Sequence, residues 1–122
     1  MERDMRHVLW TGGWDSTYRV LDLVIIKSID VQPYYIIDEQ RSSTKKELET
    51  MELIKEELFN IDNKYESCIK KTVFIHKKEI PRNNEITAAY NRLRQISFIG
   101  SQYDWLARYM WSAGIKLDLS VH

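Results

Sequence analysis

The stretch LWTGGWDSTYRVLDL, residues 9–23, decides how the chain is read. It begins in a short apolar run, HVLW at 7–10, which Gly12-Gly13 stops and which reads as a buried strand. From Asp15 the period changes. Tyr18, Leu21, Val24 and Ile25 fall at helical spacing, so the pattern predicts a helix to about Lys27, with Asp15 or Ser16 as its N-cap. A glycine pair between a strand and a helix has a physical use. Glycine accepts positive φ and lets a ligand approach the backbone without meeting a Cβ, and Gly13 is expected in that role. Successive N–H groups then form an anion-binding nest, and the following helix points its positive end at the same place. Thr11, Ser16 and Thr17 add hydroxyls. Asp15 can cap the helix or hold a Mg²⁺ ion that bridges phosphates. The spacing is neither that of a Walker A loop nor that of the G-x-G-x-x-G dinucleotide fingerprint.

Working outward, VQPYYII at 31–37 reads as a strand ending at Asp38, with Pro33 at its start or on a sheet edge. TKKELETMELIKEELF, 44–59, reads as a helix. Thr44 and Glu47 form a capping box, and Leu48, Met51, Ile54 and Leu58 form one apolar stripe. KKTVFIH at 70–76 reads as a third strand, and Asn84 as the cap of a helix with Ile86, Ala89, Tyr90 and Leu93 on one face. ISFI at 96–99 is a fourth strand ended by Gly100; a helix over about 103–113 is closed by Gly114; IKLDLSV at 115–121 alternates as a fifth strand. Strands alternating with helices predict a Rossmann-like α/β fold: a parallel five-stranded sheet with helices on both faces. In such sheets ligands bind beyond the carboxyl ends of the strands, where the strand order reverses. Gly12, Gly13 and Gly100 all follow strands in this reading, which places one ligand site between two loops on the same sheet edge.

The chain has 122 residues, the length of a single domain, 1–122. Eighteen basic and eighteen acidic residues cancel, so no global field attracts a nucleic acid or an anionic membrane. Cys68 is alone, which excludes an intramolecular disulfide or a cysteine zinc cluster. No stretch approaches the roughly 20 apolar residues of a membrane span, and no signal-peptide pattern opens the chain. The expectation is a cytoplasmic protein.

TGGWDST after a strand and before a helix resembles the SGGxDS signature of the PP-loop superfamily, the N-type ATP pyrophosphatases or adenine nucleotide alpha hydrolase-like proteins of the HUP class. Thr11 stands in place of the serine and keeps the hydroxyl. YYIIDEQRSS resembles the end of the second strand in that superfamily, where an acidic residue follows an apolar run near the adenosine. FIGSQYDWLA is similar to the glycine-containing loop after its fourth strand. The nearest subgroup is the 7-cyano-7-deazaguanine synthase-like proteins. The resemblance implies ATP and Mg²⁺ as cofactors, cleavage of ATP between the α and β phosphates, and adenylation of an acceptor substrate. It implies catalytic roles for Asp15 and Ser16, with Asp15 on the metal. Nucleotide contacts fall to Thr11, Gly12, Gly13, Ser16, Thr17, Asp38, Arg41, Gly100, Ser101 and Gln102. Two features depart from the pattern. The C-terminal zinc cysteines of the synthases have no counterpart here, and superfamily members usually continue past the fifth strand, so a minimal relative, a fragment or a site completed by a partner are the alternatives.

Each residue also has a plainer reading. The glycines and Asp15 can make only a tight turn and a cap, Ser42-Ser43-Thr44 only a helix start, Arg41 only a solvated cation, and Gly100-Ser101-Gln102 only a loop. Three functions follow: an adenylating ATP pyrophosphatase, a nucleotide-binding module without turnover, or an interaction protein that keeps the fold. Trp105, Tyr109 and Trp111 on the last helix are expected to be partly exposed and to support a homodimer.

Overall fold

The computed structural model describes residues 4–97, 100 and 102–120. They form an α/β protein with a three-stranded parallel sheet in the order β1-β2-β3. The elements are β1 Met5–Leu9, α1 Trp14–Leu21, β2 Asp30–Ile37, α2 Thr44–Ile61, the short α3 Tyr65–Cys68, β3 Val73–His76, α4 Asn84–Ile96 and α5 Gln102–Ala113. The chain divides into two compact units, one of residues 1–75 and 117–122, the other of residues 76–116.

In the first unit β1 lies parallel to β2, with Met5 opposite Asp30 and Leu9 opposite Tyr34. The other edge of β1 takes the chain near its end. Leu9 N–H donates to the Asp118 carbonyl at 3.0 Å and Asp118 N–H to the His7 carbonyl at 2.8 Å. Among the described residues, the stretch expected as a fifth strand thus contributes a single parallel bridge, Val8 to Asp118. Of the expected fourth strand, Ile96 is instead the last residue of α4, and Phe98 and Ile99 lie outside the described residues. The core is built from Val8, Trp10, Val20, Leu23, Val31, Tyr35, Met51 and Leu58, with Leu48 and Ile54 packed against it. The apolar stripe expected on α2 therefore faces inward as read.

Pro33 corrects its sequence reading. It sits inside β2, the central strand, opposite Val8. Alternate residues of a parallel strand bond to opposite neighbours. Asp30 and Tyr34 bond toward β1, while Val31 bonds toward Lys70. The missing N–H of Pro33 therefore faces the chain leading into β3, where ladder pairing has not begun. There the Gln32 side chain donates to the Lys71 carbonyl at 2.8 Å.

Helix starts also differ from expectation by a residue or two. α1 is capped by Gly13 rather than Asp15 or Ser16, with no side-chain cap bond. α2 is capped by Ser43, and Glu47 accepts from Ser43 Oγ at 2.7 Å rather than pairing with Thr44. α4 is capped by Asn83, whose Oδ1 accepts from the N–H groups of Glu85 and Ile86. After Leu21 the first helix widens into a π-helical turn, Asp22–Ile26, which ends at Ser28 with φ +54°.

Asp118 is the electrostatic anchor of the first unit. Its carboxylate takes Arg19 Nε at 2.7 Å and Arg6 Nη1 at 3.6 Å, and its Oδ1 accepts from Ser120 N–H at 3.0 Å. Burial works against the charge, but Arg19, the Ser120 N–H and Arg6 outweigh it and hold the carboxyl below its usual range. A depressed folded pKa means the unfolded chain binds the proton more readily. This contribution to stability is complete above the unfolded value, about 3.9, and is lost as pH falls through the lower folded value. The urea midpoint of the parental chain should therefore carry an acid-side loss that Asp118→Asn lacks. At neutral pH the substitution should cost about 1.5–3 kcal/mol, the scale of a hydrogen bond to a charged group.

In the second unit, Thr87 Oγ1 on α4 donates to Asp104 Oδ1 on α5 at 2.7 Å, and Arg108 reaches the Ile80 and Pro81 carbonyls. Lys77 Nζ lies 5.5 Å from the Trp105 ring. Trp105 and Tyr109 are half-buried and Trp111 is exposed. Gly114, at φ +67°, closes α5 as its sequence position predicts.

Candidate functional site

The loop after β1 leaves the sheet at Trp10, which is fully buried. The Trp10 N–H still pairs with the Tyr34 carbonyl at 2.9 Å, and its indole Nε1 donates to Thr17 Oγ1 at 3.0 Å. Thr11 then turns the chain. Its N–H donates to Ser16 Oγ at 3.1 Å, its own hydroxyl lies 3.1 Å from the same atom, and Gly13 N–H points at Thr11 Oγ1 at 3.3 Å. The three expected hydroxyls are therefore in place, but each is already engaged inside the turn. Ser16 is buried and staples the loop to α1, where the sequence suggested a ligand contact.

The two glycines have different jobs. Gly12, not Gly13, adopts positive φ, +77°. A Cβ on Gly12 would stand 2.9 Å from the Glu47 carbonyl oxygen of α2. Glycine is required there so that the loop can lie against a helix backbone. Gly13 has φ −79° and ψ 174°, extended backbone open to any residue. It is exposed, and it offers no side chain to the first turn of α1, whose leading N–H groups have no partner within the helix. Trp14 and Asp15 follow, both exposed. The Asp15 carboxylate stands at that same first turn.

The second candidate loop adjoins the first through α2. Asp38 ends β2 in a tight turn, its Oδ1 accepting from Gln40 N–H and its carbonyl from Arg41 N–H, both at 3.0 Å. Arg41 Nη2 pairs with Glu47 Oε1 at 2.5 Å and reaches Ser43 Oγ at 3.1 Å. Arg41 is thus held by a carboxylate. Gly12, Glu47, Arg41 and Asp38 form one continuous corner at the carboxyl ends of β1 and β2. Gly100 and Gln102 belong to the second unit, where Tyr103 N–H donates to the Gly100 carbonyl at 3.2 Å; Ser101 lies outside the described residues.

Sequence reading missed two residues here. Tyr35 is almost wholly buried, and among the described residues no hydrogen bond of good geometry reaches its hydroxyl. Burial raises its pKa above the ordinary phenol range and Glu47 adds to this, against the neighbouring Thr44 hydroxyl and Arg41. Lys55, with only 13% of its side chain exposed, turns inward, placing its ammonium 5.9 Å from the Trp10 ring and 3.1 Å from Thr72 Oγ1. An amphipathic pattern counts a lysine as outward facing, so neither period nor composition signals it. Comparison with protein families, with curated proteins and with solved structures returned no match. Among the described residues no cluster of three metal-ligating side chains occurs, and no helix is long and apolar enough to cross a membrane.

The loop geometry makes a sharp prediction for Ser16→Ala. The Thr11 N–H would lose its acceptor while remaining part-buried. An unsatisfied donor costs about 1–3 kcal/mol, so the variant should lose stability in chemical denaturation even without a ligand. A midpoint equal to the parental one would show that the Thr11–Ser16 staple carries no energy.

Proposed function

We propose that the chain is a PP-loop protein that binds the phosphates of ATP on the loop between β1 and α1. The observation that carries this is positional. β1 has β2 on one edge and the Asp118 bridge on the other, so strand order reverses at β1, and the Gly12-Gly13 loop leaves from its carboxyl end. That is where ligands sit in open α/β sheets. The uncapped first turn of α1, bare of side chain at Gly13, suits an anion. The complete fold in this reading is the five-stranded Rossmann-like sheet.

The residues present fit a magnesium nucleotide. Mg²⁺ is usually held by one or two carboxylates, with phosphates and water completing the shell, and the exposed Asp15 offers one. When bound, the ion would supply charge stabilisation at the phosphates being separated. Gly12 and Gly13 shape the backbone cradle, while Thr11, Ser16 and Thr17 hold that shape from within. Asp38 and Arg41 flank the cradle on the second loop. The reaction in this reading is adenylation of an acceptor with release of pyrophosphate.

A second reading is nucleotide binding without turnover. It is favoured by Ser16, the proposed catalytic hydroxyl, being buried and bonded to Thr11. Titration calorimetry with Mg²⁺-ATP tests the shared claim, and detection of AMP and pyrophosphate separates the two. Heat of binding with no AMP formed in the presence of candidate acceptors would leave the binding module; no binding at all would end both.

A further inference from the structure

The first helix and its π-helical extension are apolar on two sides. Ser16, Val20, Leu23 and Val24 are buried on one. Trp14, Tyr18 and Leu21 recur at spacings of four and three residues, the interval that lays side chains in one seam along an α-helix, and the row continues into the π-helical turn at Ile25. Trp14 is 86% exposed, Tyr18 58% and Ile25 40%; Leu21 is half-buried, and Ile26, 74% exposed, borders the row. Single exposed apolar residues are ordinary on a protein surface, but a contiguous row of this size marks an interface.

We propose that this seam joins two copies of the chain in a two-fold dimer, with α1 of each packed antiparallel on α1 of the other. A two-fold interface must be self-complementary, and the seam has the required gradient. Its bulky end is Trp14 and Tyr18, its slim end Leu21 and Ile25. Antiparallel pairing sets Trp14 against Ile25 of the partner subunit and Tyr18 against Leu21 of the partner subunit, so large faces small along the whole row. Parallel pairing would crowd two indoles at one end and leave a gap at the other. Antiparallel helices also oppose their macrodipoles. Asp22, which follows Leu21 in the chain, is paired within its own copy with Arg19 at 3.6 Å and Lys27 at 3.3 Å, which lessens its repulsion across the axis. With aromatic side chains of the usual area, the exposed parts of Trp14, Tyr18, Ile25 and Ile26 amount to roughly 500 Å² per copy. About 1,000 Å² in the pair lies at the low end of specific interfaces. An interface of this size suits a weak, reversible dimer. The surface differs from the α5 aromatics singled out in the sequence, and it does not depend on nucleotide binding.

Sedimentation velocity on the full chain, from low to high micromolar concentration, should show the mass rising from 14.6 kDa toward twice that value. Tyr18→Glu and Ile25→Glu should stay monomeric across the range with an unchanged far-ultraviolet circular dichroism spectrum, while Trp111→Glu on α5 should dimerise as the parent does. The register is tested separately. Trp14→Cys chains mixed with Ile25→Cys chains should form an interchain disulfide under mild oxidation, and Trp14→Cys chains alone should not; Cys68 is buried and does not compete. A parental chain that stays monomeric at the highest concentration overturns the proposal. So does a dimer that survives Tyr18→Glu, which decides the matter even if Ile25→Glu misfolds, and so do Trp14→Cys chains that cross-link to one another.

Discussion

Gly12→Val should lower the stability of the chain by about 2–5 kcal/mol, as the sum of two costs. A non-glycine residue at φ +77° pays about 1–2 kcal/mol, and a β-branched one stands at the upper end. The second cost is steric. The added Cβ would lie 2.9 Å from the Glu47 carbonyl and 3.4 Å from Met51 Cγ. The first of these atoms is helix backbone and cannot swing aside, so α2 must shift, at the roughly 1–3 kcal/mol typical of overpacking. Against a total of about 5–15 kcal/mol for a small domain, urea unfolding should move to a clearly lower midpoint. Gly13→Ala is the matched control. Its φ of −79° suits alanine, and the new Cβ would press at 3.3 Å on one side-chain atom, the Thr11 hydroxyl, rather than on helix backbone, so its midpoint should fall far less than that of Gly12→Val. On the nucleotide reading, Gly13→Val should remain folded and lose ATP binding, because a branched side chain would cover the N–H groups of the first turn of α1. Parental ATP affinity in Gly13→Val would leave the loop as a turn and nothing more.

That pair of glycines shows what could be read from sequence and what could not. The dipeptide announced a strand, a turn and a helix, and all three are there. Which glycine needed positive φ was not legible, because it depends on how closely α2 approaches the loop. Helix caps slipped for a related reason. Ser43 and Thr44, or Asn83 and Asn84, are chemically equivalent neighbours, and only the chain direction entering the helix selects one. The rule that puts Pro33 at the start of its strand or on a sheet edge concerns a missing donor, and here the adjoining chain asks for none at that point while Gln32 serves Lys71. The helical spacing of Tyr18, Leu21, Val24 and Ile25 predicts the helix, and the structure splits the set between two sides: Val24 is buried, while Tyr18 and Ile25 are exposed. Trp14, Tyr18, Leu21 and Ile25 share helical spacing with each other, as do Val20, Leu23 and Val24, and a sequence apolar on both sides does not say which side meets the sheet. Alternation at 115–121 predicted a full strand, whereas the charge cluster at Asp118, built from Arg6 and Arg19 at distant positions, holds the segment through one bridge. The corner made by Asp38, Arg41 and Glu47 beside Gly12 was only half legible: the acidic and basic residues stood out, their pairing did not.

Trp10→Ala should be the other severe substitution, because Trp10 joins the sheet, the loop and α2. The side chain is fully buried, and its removal leaves a cavity at the foot of the loop. Truncating a buried tryptophan costs about 3–5 kcal/mol. Two polar consequences add to that. Thr17 Oγ1 loses the indole donor at 3.0 Å, and the Lys55 ammonium loses the ring face it lies over at 5.9 Å. Lys55 keeps Thr72 and the Glu52 carboxylate at 3.5 Å, so it does not become an unpaired charge. Trp10→Phe separates these effects. It retains an aromatic face and most of the volume but no indole N–H, so the core should survive with a smaller loss, while Thr17 is released from the base of the loop. If the cradle works by being held in shape, Trp10→Phe should weaken ATP binding more than its modest change in the urea midpoint implies. Equal stability in Trp10→Ala and the parent would mean that the end of β1 is not the structural footing on which the loop stands.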